Sequence, residues 1–207
     1  MGEEHPVRFS VEYPDRPLNR VSSAFRIFTV IPIAIVLASI GGYSSGSYEA
    51  SSEASTVVIG GTGLLFLPPL LMILFRRKYP RWWYDFNVEL LRFQNRVGVY
   101  VALMDDRYPS TDEHQSVHLE VPYPDANRLN RLLPLVKWLL AFPHYVVLYF
   151  LQIALFVVLV INLFIVLFTG RWNESMRDFC VGVARWHTRV YGYVFLITNK
   201  YPPFSLQ

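Results

Sequence analysis

The longest apolar stretch of the chain, Leu132–Phe168, sets the strongest limit on its fold, because Lys137 is the only charged residue in it. A helix that crosses a bilayer needs roughly 20 residues, and this stretch is much longer. We therefore predict two membrane spans, at about 134–151 and 153–168, joined by a tight turn near Leu151–Gln152. One long tilted helix is the alternative.

Two further apolar stretches precede it. Ala24–Ile40 carries one charge, that of Arg26, and Val57–Phe75 carries none. They predict spans at about 24–40 and 57–75, which makes four spans in total. The composition agrees, since 53% of the residues are hydrophobic and 17% are charged, against roughly 25% charged in globular domains. We therefore expect an all-α integral membrane protein.

The basic residues predict how these spans are oriented. All 19 lysines and arginines lie in Met1–Arg26, Arg76–Lys137 and Thr169–Gln207, whereas the loop Gly41–Thr56 has none. Basic segments stay on the cytoplasmic side of a bilayer. Both termini and the middle segment are thus predicted to be cytoplasmic, in a multi-pass protein of the inner (plasma) membrane.

The chain also matches itself, which predicts two tandem units, residues 1–113 and 114–207. Its first strand-like segment, Val7–Asp15, resembles Val117–Asp125, and the segment after the first two spans aligns with the chain 93 residues later. Each unit comprises a short β-strand, a transmembrane helical hairpin and a cytoplasmic-side amphipathic helix. A pseudo-two-fold axis along the membrane normal relates the units, as in a fused homodimer.

Alternating apolar residues predict the two strands, beginning at Val7 and at Val117. A lone strand is not stable in water. We therefore expect the strands to pair with each other or with another cytoplasmic segment.

Helical periodicity predicts an amphipathic helix in each unit, at about 81–104 and about 174–197. The polar stripe of the first helix consists of Asp85, Glu89, Arg92, Arg96 and Tyr100. The stripe of the second consists of Asp178, Arg185, Arg189 and Tyr193, with Gly182 in the place of Glu89. We expect both helices to lie in the headgroup layer of a membrane.

Three interpretations of these stripes stay open. The first is a set of structural ion pairs, in which Asp85 binds Arg92 and Arg96 and Asp178 has the corresponding role in the second helix. The second is a site for anionic lipid headgroups or a cytoplasmic partner, since guanidinium groups bind phosphate through two hydrogen bonds. Its residues are Arg92, Arg96, Arg185, Arg189, Trp82, Trp83 and Trp186. The third is an ion or solute pathway between the units, which the lack of charged residues in the middle of the spans disfavours.

The titratable residues form no recognisable catalytic or metal-binding pattern. The five histidines are scattered, without the spacing of a metal site. Cys180 needs a base such as His187 to act as a nucleophile, and a cysteine on an apolar helix is more often a packing residue. The net charge of +3 does not imply nucleic-acid binding. We therefore predict no enzymatic activity, no metal, no cofactor and no nucleic-acid partner.

Several motifs are shared with a known family. The segments that carry the resemblance are Tyr79-Pro80-Arg81-Trp82, Asp85-Phe86, Arg96-Val97 and Tyr201-Pro202-Pro203-Phe204. They resemble the bacterial membrane-protein family called domain of unknown function 4389, present as two tandem copies. The first copy departs from the pattern, because Tyr108-Pro109-Ser110 lacks the second proline and the phenylalanine. The resemblance implies a bacterial membrane protein and supplies no activity or catalytic residues.

These observations favour a non-enzymatic membrane scaffold or an accessory subunit of a membrane complex. Its predicted partners are anionic membrane lipids and either a membrane protein or further copies of itself. The alternative is a small channel or transporter with a pathway along the pseudo-two-fold axis. A membrane-embedded enzyme is the third hypothesis.

Overall fold

The computed structural model describes residues 5–14, 16–41, 71–72, 75, 80–111, 113, 115–124 and 133–207. Most of the predicted loop 41–56 and most of the predicted span 57–75 lie outside these residues. In chain order the elements are β1 (Arg8–Val11), α1 (Arg20–Gly41), α2 (Arg81–Val101), β2 (Val117–Glu120), α3 (Leu133–Leu140), α4 (Phe142–Thr169) and α5 (Glu174–Val194).

α1 covers the first predicted span and begins at a well-defined cap. The side-chain oxygen of Asn19 accepts hydrogen bonds from the backbone N–H groups of Val21 (3.0 Å) and Ser22 (3.2 Å), as expected of an N-cap residue. The backbone N–H of Asn19 donates to Asp106 Oδ2 at 2.9 Å. The start of α1 is thereby tied to the segment that follows α2.

The predicted turn near Leu151–Gln152 is wrong, because α4 runs through it without a break from Phe142 to Thr169. α3 ends and α4 begins on either side of Ala141, where the backbone keeps nearly helical angles (φ −78°, ψ −13°). Pro143 explains this position, since it has no N–H to donate to the preceding turn and its ring crowds a carbonyl there. No such residue stands at Leu151–Gln152, so the helix continues.

The two spans predicted at about 134–151 and 153–168 are thus replaced by one principal helix, α4. Among the described residues it is the one helix that is long and apolar enough to cross a membrane. Its most apolar window is 11% buried inside the protein, so most of its surface is exposed. A shorter apolar stretch, Phe28–Leu37, lies within α1.

α2 and α5 are the predicted amphipathic helices, and each ends slightly before the predicted boundary. Leu103 and Leu196 explain the ends, because both have a positive φ, of 63° and 62°. After α2 the N–H of Met104 donates to the carbonyl of Val99 at 3.0 Å, which is the Schellman pattern, and the same pattern follows α5. A leucine is unusual in a left-handed conformation, and here both leucines are buried in the core.

The two strands pair with each other, as one of the two alternatives predicted. They form an antiparallel sheet in which Phe9 lies opposite Leu119. These two residues also match each other when the two strand sequences are aligned. The strand pair is therefore symmetric about a line between Phe9 and Leu119.

The described elements are arranged in three layers. One face of the sheet packs on α2 and α5, and these helices pack on α1 and α4. α5 runs antiparallel to α4. Trp186 of α5 meets His144 near the start of α4, whereas Trp172, which precedes α5, lies in the same core cluster as Val166 near the end of α4. The main core cluster contains buried residues from the sheet, from α2, α4 and α5 and from the segments that flank these elements, among them Val7, Phe9, Val88, Leu91, Leu119, Val166, Cys180 and Leu196.

Arg26 and Lys137 stand at matching positions of the two predicted units and make matching contacts. Arg26 Nη2 donates to Asp106 Oδ1 at 2.7 Å, and Lys137 Nζ donates to Asn199 Oδ1 at 2.7 Å. Both basic residues are buried inside the protein. The backbone carbonyls that accept from the two cations match as well, that of Asp105 for Arg26 and that of Thr198 for Lys137. Each cation also lies over a matching ring, Tyr100 under Arg26 and Tyr193 under Lys137.

Candidate functional site

Arg92 and Arg185, at matching positions of α2 and α5, each hold the strand that belongs to the other predicted unit. Arg92 Nε and Nη2 donate to the carbonyl of Leu119 in β2, at 3.1 and 2.9 Å. Arg185 Nε donates to the carbonyl of Phe9 in β1 at 3.0 Å. A guanidinium group bonded to a backbone carbonyl adds a charge-assisted hydrogen bond to the edge of a sheet. The first role of these two arginines is therefore to fix the sheet on the helices.

The remaining donors of the two arginines find different acceptors. Arg92 Nη1 pairs with the carboxylate of Glu89, whereas Arg185 Nη1 donates to the carbonyl of Leu206 at 3.0 Å. Gly182 stands where Glu89 does in the first helix, and a Cβ there would lie 2.9 Å from Leu206. The glycine therefore makes room for the C-terminal segment, whose carbonyl replaces the carboxylate.

Arg96 and Arg189 also bind backbone oxygens. Arg96 Nη1 donates to the carbonyl of Ser110 at 2.8 Å, and Arg189 Nη1 donates to the main-chain oxygen of Gln207. In both side chains Nε is buried and has no hydrogen-bond partner in the described part of the chain. Each guanidinium group thus keeps unused donor capacity.

Asp85 and Asp178 do not form the predicted ion pairs. Among the ion pairs that the described residues form, Arg92 is bound by Glu89, and Asp178 is bound by its neighbour Arg177 at 3.2 Å. Both aspartates are exposed. Arg96 and Arg185 are instead held by backbone carbonyls, which compete well for a guanidinium group because their positions are fixed by the fold.

Among the clefts that flank the sheet, two are each lined by a pair of the predicted arginines. The β2 cleft, of about 490 Å³, lies beside Arg92 and Arg96. The β1 cleft, of about 410 Å³, lies beside Arg185 and Arg189 and also takes in Arg8. The charged and histidine side chains lining the β2 cleft are Glu89, Arg92, Arg96, His118 and Glu120. Those lining the β1 cleft are His5, Arg8, His118, Glu120, Arg185 and Arg189.

The β1 cleft is the more basic of the two, with three arginines against one carboxylate, whereas the β2 cleft has two of each. Burial, and then the nearby Arg185, lower the pKa of Arg189 from its ordinary value. Burial, and then Arg189, lower the pKa of His5. Positive groups are therefore crowded together here, which is the electrostatic condition for binding an anion.

The three predicted interfacial tryptophans lie in different environments. Trp82 is exposed and Trp83 is half-buried, and their rings make an edge-to-face contact at 5.2 Å. Trp186 is 5% exposed, and its Nε1 donates to His144 Nδ1 at 3.2 Å. The prediction that Trp186 faces lipid or a partner is therefore wrong, because the ring packs against α4.

Cys180 has the properties of a packing residue. It is buried in the core cluster, and burial raises the pKa of its thiol to about 11. An activated nucleophile needs the opposite shift, towards the thiolate.

Sequence reasoning missed several parts of this arrangement. The role of Arg8 in the β1 cleft and the exchange of Glu89 for the Leu206 carbonyl depend on contacts between distant segments. The buried pairing of Arg26 with Asp106 had one signal in the sequence, a lone arginine inside an apolar stretch.

Comparison with known proteins gives one match. Residues 133–205 match the family model described as Domain of unknown function (DUF4389), as a single copy, so this comparison does not support the predicted tandem pair. No curated protein and no solved structure matches the chain. The resemblance read from the sequence is thus confirmed for the part that contains α3, α4 and α5: residues 133–205 are similar to the DUF4389 family.

Proposed function

We propose that the chain is a non-enzymatic integral membrane scaffold or accessory subunit that binds anionic lipid headgroups. The observation that carries the proposal is the β1 cleft, in which Arg8, Arg185 and Arg189 meet beside a sheet fixed on the helices. Guanidinium groups match the geometry of phosphate oxygens. A basic cleft on a membrane protein is therefore suited to a phospholipid headgroup.

α4 supports the membrane part of the proposal. Its 28 residues extend for about 42 Å at roughly 1.5 Å per residue, which exceeds a hydrocarbon core of about 30 Å. An apolar helix that leaves most of its surface exposed is costly in water and favourable in lipid. The inner membrane and several spans belong to the same proposal.

The tandem duplication is a proposal as well. It is supported by contacts at matching positions, in which Arg92 and Arg185 hold opposite strands. It is also supported by Thr188 Oγ1, which donates to Asn95 Oδ1 at 3.1 Å across 93 residues, the offset that aligns the two amphipathic helices. Residues that match each other in a repeat meet where a two-fold axis passes.

Retention of lipid tests the headgroup proposal. The protein is released in mild detergent from vesicles that contain phosphatidylglycerol and phosphatidylcholine, and bound lipid is identified by native mass spectrometry. We expect phosphatidylglycerol to be retained preferentially. Replacing Arg8 and Arg189 by glutamine removes charge-assisted hydrogen bonds of about 1.5–3 kcal/mol each, so retention should fall by about tenfold or more.

Arg171→Gln is the matched control, because Arg171 is exposed and lines neither cleft. Equal retention by the cleft variant and the control would refute headgroup binding in the β1 cleft. The same spectra test the accessory-subunit part of the proposal, since it requires a membrane protein that is retained in fixed proportion. A protein without such a partner that passes ions in liposomes would instead be a channel.

A further inference from the structure

Another cleft lies between the helices and β1, and none of the arginines of the β1 and β2 clefts lines it. It has a volume of about 380 Å³, within the range of roughly 300–1,000 Å³ that small-molecule sites occupy. We refer to it as the apolar cleft. Residues of α2, α4 and α5 line it, among them Leu91, Gly98, Ala102, Leu155, Leu159 and Cys180.

The apolar cleft exists because two residues are small, Gly98 in α2 and Ala102 directly after it. Gly98 and Ala102 match Tyr191 and Phe195 at the offset that aligns α2 with α5. Tyr191 and Phe195 stack on each other with ring centroids 4.0 Å apart. A Cβ added at Gly98 would meet nothing within 4 Å. The space beside Gly98 and Ala102 is therefore open, whereas the matching positions of the second half carry two aromatic rings.

The lining identifies the kind of ligand. None of the described residues around the apolar cleft is an aspartate, glutamate, lysine or arginine. Its polar groups are neutral amides and an imidazole, those of Gln94, Asn95, Gln152 and His187. An apolar cavity with a few hydrogen-bonding groups suits a chain of methylenes whose polar end lies at the opening.

α4 lies between the apolar cleft and an exposed apolar surface. Leu155 and Leu159 of α4 line the apolar cleft, while Phe156 and Val160, on the same two turns, are exposed on the outside of the molecule. α4 therefore has one side on the cleft and another on the exposed apolar surface. The apolar cleft is therefore lined by the same two turns of α4 whose outer side is exposed and apolar.

We propose that the apolar cleft binds a single acyl chain, supplied by a membrane phospholipid or by a free fatty acid. Binding replaces contact between water and the apolar lining by contact between the lining and methylenes. The site is separate from the arginine clefts, so it can hold an acyl chain whether or not those clefts bind headgroups.

Photolabelling tests the proposal. The full-length protein in lipid nanodiscs is irradiated with a fatty acid that carries a diazirine in its chain, and in a parallel sample with a phospholipid that carries the same chain. Mass spectrometry then locates the adducts. We expect adducts on cleft residues of α2 and α5, and the sample that gives them identifies the source of the chain.

Two variants fill the apolar cleft. Gly98→Tyr and Ala102→Phe introduce the side chains that α5 carries at the matching positions, and each should abolish the cleft adducts. Val157→Tyr is the control, because Val157 is exposed on α4 and does not line the cleft, so its adducts should be unchanged. Circular dichroism melting shows whether each variant is folded.

Adducts confined to the outer surface of α4 in the native protein would overturn the proposal. Cleft adducts that persist in both folded filling variants would overturn it equally. Loss of headgroup retention in the Arg8 and Arg189 variant has no bearing on either result, so the two proposals fail separately.

Discussion

Gly98 of α2 and Gly182 of α5 differ in the space around them. Nothing lies within 4 Å of a Cβ at Gly98, whereas a Cβ at Gly182 would be 2.9 Å from both Cβ and the carbonyl oxygen of Leu206. Gly98→Ala should raise the free energy of unfolding by about 0.5–1 kcal/mol, because alanine loses less backbone entropy in a helix. Gly182→Ala should lower it, since the C-terminal segment must move away and Arg185 then loses the Leu206 carbonyl.

Thermal unfolding followed by circular dichroism measures both effects in the same detergent. The contrast between the two variants is the diagnostic result, because helix propensity alone would stabilise both. If Gly182→Ala were as stabilising as Gly98→Ala, the packing of Leu206 on α5 would be refuted.

At the scale of elements, α4 conflicts with the orientation predicted from the basic residues. A helix that crosses the bilayer once separates Phe142 from Arg171, whereas the distribution of charge places both flanking segments in the cytoplasm. Lys137 reduces the conflict, because it is buried against Thr198 and Asn199 and is not a boundary charge. The geometry of α4 therefore predicts that its two ends face opposite sides of the membrane.

Cysteine labelling measures on which side of the membrane each end of α4 lies. Phe142→Cys and Arg171→Cys are made separately in a Cys180→Ser background, since both positions are exposed and Cys180 is the single native cysteine. A membrane-impermeant maleimide should label one of them in intact vesicles and the other only after the vesicles are opened. Labelling of both from the same side would mean that α4 does not cross, and that it lies along the surface or folds back.

At the scale of the whole molecule, the exchange of strands predicts that the two halves depend on each other. β1 is held by Arg185 of the second half and β2 by Arg92 of the first, and the strands pair only with each other within the described residues. Residues 1–113 and 114–207, expressed as separate chains in one cell, should therefore assemble and be purified together through a tag on either half.

A variant of this split protein that carries Arg92→Ala and Arg185→Ala tests the role of the two arginines. Each substitution removes charge-assisted hydrogen bonds to a strand, which are worth about 1.5–3 kcal/mol apiece, so recovery of the untagged half should fall. Recovery unchanged by both substitutions would show that the arginines do not hold the halves together.

The sequence by itself determined the elements whose periodicity is local. Alternation marked both strands, and the helical repeat of polar and apolar residues marked α2 and α5, because each pattern reflects which face of a single element is buried. Of the motifs that carry the family resemblance, Tyr201-Pro202-Pro203-Phe204 lies within residues 133–205, the part that the family model bears out, and the others lie outside it.

The tertiary structure decided which groups meet. Arg92 binds the Leu119 carbonyl and Glu89, not Asp85, and Trp186 is buried against His144. The apolar cleft is likewise a result of tertiary packing, since its lining comes from several distant segments and Gly98 leaves space there, whereas the matching Tyr191 stacks on Phe195. A side chain with several partners in reach takes those that the packing of distant segments holds in place, and the order of residues along the chain does not contain that choice.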